Sequence, residues 1–156
     1  MIALRFGRQI GIAGLLALLC GCATVATTSS AQNADARKFQ PAPGTASVYL
    51  CRSSAVIGDT LVAEMQLDGE SIGALAPNTY LMLSVTPGHH VLTVTGPTNS
   101  EQAALDAVAG NNYFFNVSFS WDGPLIRHRH IGPMSDADGR NAVNSENRAA
   151  GTVSGS

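Results

Sequence analysis

Apolar and polar residues alternate most cleanly over Thr79 to Val85, with Leu81, Leu83 and Val85 on one side and Tyr80, Met82 and Ser84 on the other. A period of two marks a half-buried strand, because successive side chains point to opposite faces. The same reading predicts strands over Ala46 to Arg52, Val62 to Leu67 and Ser71 to Leu75. His89 to Thr95 turns His90, Leu92 and Val94 one way, and Asn112 to Phe119 groups Tyr113, Phe115, Val117 and Phe119. Ile126 to Ile131 closes the series. Asp68-Gly69 is a strong two-residue hairpin signal, and Pro87-Gly88 makes another turn. About seven short strands separated by turns predict an all-β fold, a small antiparallel β-sandwich over residues 45–143.

One segment is read two ways. Glu101 to Ala109 is rich in Ala, follows Ser100 as a candidate N-cap and ends at Gly110, which favours a helix. Its alternation of Ala103, Leu105 and Ala107 against Ala104, Asp106 and Val108 also permits a strand. A weak, glycine-containing helix candidate starts at Ser135.

The alternation stops at both ends. Met1 to Arg8 carries positive charge, and Ile10 to Leu19 is an uncharged apolar run, long enough for a signal-peptide core and short for a bilayer span. Leu19-Cys20-Gly21-Cys22 behind it resembles a lipobox. That resemblance implies cleavage before Cys22, a thioether-linked diacylglycerol on its sulfur and a third acyl chain on its amine. At about 0.8 kcal/mol per buried methylene, such chains hold a protein durably on a membrane. Ordinary cleavage at the small residues Gly21 and Ala23, or an uncleaved anchor, are the competing readings. Ala23, where an Asp would retain a lipoprotein at the inner membrane, resembles the pattern sent to the outer membrane of a Gram-negative host. The expected location is therefore the cell envelope, at the periplasmic face of that membrane.

Four parts are expected: a signal over residues 1–21, Cys22 with a flexible tether through residue 44, the sandwich over 45–143, and a disordered tail over 144–156. Ala23 to Gly44 has few large apolar residues, and as a flexible chain it would span about 25 Å. Removing the first 21 of 156 residues leaves 135, enough for one modest core. It also removes Arg5 and Arg8, taking the formal charge from −2 to −4. A negative chain without a basic face excludes nucleic acid as the expected partner.

Candidate chemistry is sparse. Cys51 remains as a lone thiol in an apolar strand, where cysteine behaves as a small buried hydrophobe. His128 and His130 share a strand face, but Arg127 and Arg129 flank them and a zinc site needs three or four convergent ligands. No metal or cofactor is expected. There is no Gly-x-Ser-x-Gly turn, phosphate-binding glycine loop or assignable carboxylate pair, so no enzyme is expected. The ligand-binding candidates are Trp121, beside the turn Asp122-Gly123-Pro124, with Arg127 and Arg129 on one face of the next strand. An indole stacks on a sugar or fills a protein pocket, and a guanidinium forks onto carboxylate or phosphate. Tyr49, Tyr80 and Phe114, opposite their core neighbours, are further recognition candidates, with ordinary packing under a loop or second layer as the competing reading.

The order of several short runs carries a family resemblance. Val48-Tyr49-Leu50-Cys51-Arg52-Ser53, Leu67-Asp68-Gly69-Glu70-Ser71-Ile72-Gly73, Asn78-Thr79-Tyr80, Val85-Thr86-Pro87-Gly88-His89-His90 and Gly110-Asn111-Asn112-Tyr113-Phe114 resemble a bacterial lipoprotein family, domain of unknown function 2846. The match spans about residues 45 to 140, and its turns also resemble small surface-layer repeats of the PEGA type. The resemblance implies a β-sandwich, no assigned activity, and a strand over Glu101 to Ala109. The chain departs from the pattern after Arg52, where the family has Pro. These expectations describe a non-catalytic envelope module with a protein partner, or alternatively a binder of cell-wall glycan or another anionic polymer.

Overall fold

The computed structural model describes residues 25–54, 61–96, 99–122 and 126–151, without the side chains of 121–122 and 126–127. The signal segment and Cys22 lie outside the described residues. The described chain opens with helix α1 (Ser30–Ala36) and strands β1 (Ala46–Arg52), β2 (Ala63–Leu67), β3 (Glu70–Leu75) and β4 (Thr79–Val85). There follow β5 (Gly88–Thr95), β6 (Glu101–Ala107), β7 (Asn112–Asp122), β8 (Ile126–Pro133), helix α2 (Asp136–Ser145) and the short β9 (Asn147–Arg148).

The strands form two sheets, ordered β8-β7-β1-β4-β9 and β3-β2-β5-β6, as a sandwich requires. Its core takes the expected faces: Val48 and Leu50, Leu81, Leu83 and Val85, Leu92 and Val94, Phe115 and Val117. Most pairings are antiparallel, but β1 runs parallel to β7 and β4 parallel to β9. The hairpin between β2 and β3 turns at Asp68 and Gly69, with φ of 52° and 87°. Two successive left-handed residues match the twist of the strands they join. Asp68 also ties this turn to β5: Oδ1 accepts from the Val91 N–H at 2.7 Å and Oδ2 meets His90 Nδ1 at 2.7 Å. His90 Nε2 faces the Thr86 carbonyl at 2.8 Å, so both ring nitrogens can donate only in the imidazolium form. Chiefly through Asp68, the His90 pKa is raised.

Glu101 to Ala107 is a strand, as the family resemblance implies and local propensity does not. It pairs along its length with β5 and sends Leu105 and Ala107 into the core, and that burial outweighs the helix propensity of alanine.

The ends depart further from expectation. The expected tether carries α1, begun by a capping box in which Ser29 and Gln32 each bond the other's backbone N–H. Arg37 at its C-cap reaches the Val143 carbonyl (3.2 Å) and the Glu146 carbonyl (2.7 Å), fastening α1 to the end of α2. Within the expected tail, residues 147–150 are also ordered: residues 147–148 pair with β4, Thr27 bridges Ala149, and the Ala150 N–H bonds the Ala26 carbonyl at 2.8 Å. Composition missed this because each segment is too polar to fold alone, yet the two satisfy one another's backbone against a finished sheet.

Together the helices cover the outer face of the five-stranded sheet. Ala36, Tyr49, Cys51, Tyr80, Phe114, Ala142 and Val143 form a second core there, with Phe39, Met82 and Met134 at its rim. Gly139, which weakens α2 by propensity, lies against Phe114: a Cβ on it would stand 2.1 Å from Phe114 Cγ. Gly139→Ala should therefore destabilise the domain by about 1–3 kcal/mol in denaturant unfolding, because overpacking outweighs the gain in helix propensity. A neutral or stabilising result would show that α2 does not sit this close to β7.

Candidate functional site

The inward positions of β1 are Ala46, Val48, Leu50 and Arg52, and those of β8 include Arg129 and Ile131. A regular alternation thus brings two guanidinium groups between the sheets at one pole of the sandwich. Arg52 is 3% exposed and Arg129 7%. Both lie over the Phe119 ring, their Cζ atoms 4.6 Å and 5.5 Å from its centroid. Arg52 Nη1 donates to the carbonyls of Leu61 (2.5 Å) and Leu75 (2.7 Å), holding the start of β2 and the end of β3 to β1. Arg129 Nη1 donates to Asn99 Oδ1 at 3.2 Å, while its Nε is buried without a partner. The guanidinium lies across the backbone of Gly96, where a Cβ would fall 1.8 Å from Arg129 Cζ.

The sequence-derived candidates fare differently. Trp121 and Arg127 face one another in the β7–β8 register, but their side chains lie outside the described residues. Arg129 is not displayed outward as expected; it is buried, because its parity is that of Ile131. Tyr49, Tyr80 and Phe114 are not recognition residues on a free face. They are buried in the second core, with Tyr49 and Phe114 stacked at 5.0 Å between ring centroids. Tyr49 donates its hydroxyl hydrogen bond to the Ala36 carbonyl at 2.9 Å, and burial pushes its pKa up to about 12. Sequence reasoning missed Arg52, Phe119, Asn99 and Gly96. The available signal was an arginine at the inward parity of a strand.

On the outer face of β7 and β8, Ser120 Oγ lies 2.7 Å from His130 Nε2, and His130 Nδ1 lies 3.2 Å from Glu101 Oε2. The order serine, imidazole, carboxylate is that of an acyl-transfer relay. However, Ser120 sits on an extended strand rather than a tight turn, and His130 and Glu101 keep 47% and 39% of their side-chain surface in solvent. Water competes for each bond in such a setting, so the arrangement chiefly ties edge strand β8 to edge strand β6. Glu101 Oε1 strengthens that tie by accepting from the Ile131 N–H at 3.3 Å. Among the described residues no group of three or more His, Cys, Asp or Glu side chains converges to hold a metal ion.

Two titratable groups are buried beside each other under α2. Burial pushes the Cys51 thiol up, and the neighbouring Glu146 adds to the shift. Glu146 is 2% exposed; its Oε1 accepts from Ser53 Oγ at 2.8 Å and its Oε2 has no partner. Burial raises its pKa to about 7, against the bonds from Ser53 and the Arg52 backbone. Unfolded, the carboxyl ionises near its ordinary value of 4.5; folded, it holds its proton to about pH 7. The folded state therefore binds the extra proton in this window, and stability falls as pH rises through it, by up to about 3 kcal/mol. Glu146→Gln should remove this slope: the variant gains on the wild type between pH 5 and 8 in denaturant melts. A constant difference across that range would mean that Glu146 is ionised throughout.

Comparison with known proteins agrees with the sequence resemblance. Residues 42–128 match the family described as protein of unknown function, DUF2846. An uncharacterized protein of Haemophilus influenzae (strain Rd) is 26% identical over 142 residues, spanning 90% of this chain and 83% of the relative. No solved structure matches the chain. With more than half of its length matched, including β1 to β6 and the arginine of β1, the chain is a member of the DUF2846 family.

Proposed function

We propose that the chain is an envelope lipoprotein, cleaved before Cys22 and held on the membrane by a lipid on that residue. The folded domain acts as a non-catalytic binding or structural module toward a protein partner. The observation that carries this reading is Leu19-Cys20-Gly21-Cys22 directly behind the uncharged run Ile10 to Leu19.

The folded ends change how such an anchor would work. Val25 already packs against the sandwich core, so a lipid on Cys22 would sit about 10 Å or less from the domain, at 3.3–3.6 Å per residue. The 25 Å of loose chain expected from composition is absent. Residues 26–28 pair with residues 148–150 and run back towards the Ala46–Val85 end of β1 and β4. The Arg52–Phe119–Arg129 group lies at the opposite end, where Arg52 pairs with Thr79.

Cys22→Ala should abolish fatty-acid labelling and release the protein from membranes on fractionation. Equal membrane retention in the variant would overturn the anchor. The non-catalytic reading has its own check on the serine relay. A fluorophosphonate probe should label the wild type no more than Ser120→Ala; labelling that requires Ser120 would make the protein an acyl-transfer enzyme instead.

A further inference from the structure

We propose that Glu146 is a proton-operated latch on the helical layer: while its carboxyl keeps its proton the end of α2 stays closed over β1, and ionisation releases it. Glu146 occupies a junction. It is the C-cap of α2, where its N–H bonds the Ala142 carbonyl at 3.0 Å, and the next residue opens β9 with the Asn147 N–H on the Asn78 carbonyl at 3.0 Å. Its own carbonyl accepts from Arg37 Nη2 at 2.7 Å, which joins α1 to the same point. Its side chain is 2% exposed and meets Ser53 just beyond β1, with Cys51 of that strand close by. One residue thus links both helices, the central strand and the zipped ends.

Nothing around this carboxylate offsets a charge on it. Among the described residues Glu146 forms no ion pair, and its Oε2 has no hydrogen-bond partner. Cys51 on β1 opposes the charge, and the last turn of α2 carries no base. Arg37 from α1 is held on the main-chain carbonyls of Val143 and Glu146, and Arg148 of β9 on those of Gln32 and Met82. Ser53 and the Arg52 N–H supply neutral hydrogen bonds. An ionised carboxylate with one oxygen unbonded costs far more here than the neutral acid, and turning it into water relieves the cost. Reaching water requires the last turn of α2 to lift, and with it the hold of Arg37. The same movement uncovers Cys51, because Ala142 and Val143 of that turn pack in one cluster with it. The Ser135 cap and the Met134 N–H on the Phe114 carbonyl (2.8 Å) fix the other end of α2, so the movement is a hinge. The closed carboxyl titrates at about 7 and an exposed one at 4.5, so the open fraction rises with pH through that window, about fiftyfold between pH 5 and 8.

The test uses residues 22–156 with Cys22→Ala, which leaves Cys51 as the sole thiol. Labelling of Cys51 by N-ethylmaleimide is timed in the folded chain and, at the same pH, in the chain unfolded by urea. Their ratio reports protection by the fold, free of the pH dependence of the thiol itself. Protection should fall about fiftyfold from pH 5 to 8. At pH 8 it should be unchanged by low urea, because a local opening exposes little new surface. Glu146→Gln, which cannot ionise, should stay protected across the whole range. Should that variant fail to fold, Ser53→Ala decides: it removes a hydrogen bond that favours the ionised acid, and should move the midpoint of the protection curve to higher pH. Four results overturn the latch: protection flat with pH before either further substitution, an equal fall in Glu146→Gln, an unmoved midpoint in Ser53→Ala, or labelling that follows urea with the slope of global unfolding.

Discussion

Strand β1 is buried along its entire length, on both faces. That constraint organises the molecule. A strand in a two-layer sandwich ordinarily keeps one wet face, so a strand with none requires a third layer. One face of β1 meets the second sheet through Val48 and Leu50, and the other offers Tyr49 and Cys51. The helices exist to cover that second face. Neither α1, seven residues long, nor α2, ten residues long with a glycine inside, would persist alone in water. Each is held by the aromatic surface it covers, and Arg37 joins the two.

This dependence explains what was legible in the sequence. The strands were, because a period of two survives in Thr79 to Val85 whatever lies on either face. The Asp68-Gly69 turn was also legible, since only its backbone geometry is at stake. The folded ends were not, because their order comes from distant partners: Thr27 is placed by Ala149, and Ala36 by Tyr49. Local composition has no access to contacts of that separation. For the same reason the sequence left Tyr49, Tyr80 and Phe114 open between recognition and packing under a further layer. Parity located them on the outer face correctly, and nothing local announced that the face was covered.

The arginines pose the opposite case, in which parity was informative and went unread. Arg52 continues Ala46, Val48 and Leu50 inward, and Arg129 shares its face with Ile131. A charge at an inward position is tolerated at the end of a strand, where carbonyls of neighbouring strands are still unpaired. Arg52 uses two of them, from Leu61 and Leu75. It serves as a clamp between the sheets, and its hydrogen bonds account for its burial. Arg129 has no comparable account. One neutral amide and one aromatic ring are weak compensation for a desolvated cation, and the orphaned Nε marks the shortfall.

Residues 26–28 and 148–150 are zipped together beside β4, so the described chain enters and leaves along one side of the sheet. Turn chemistry and the Asp68–His90 pair gather at the Ala46–Val85 pole, whereas the buried cations gather at the other. A lipid on Cys22 would therefore act less as a leash than as a short post. Rotation of the domain about so short a post would be restricted.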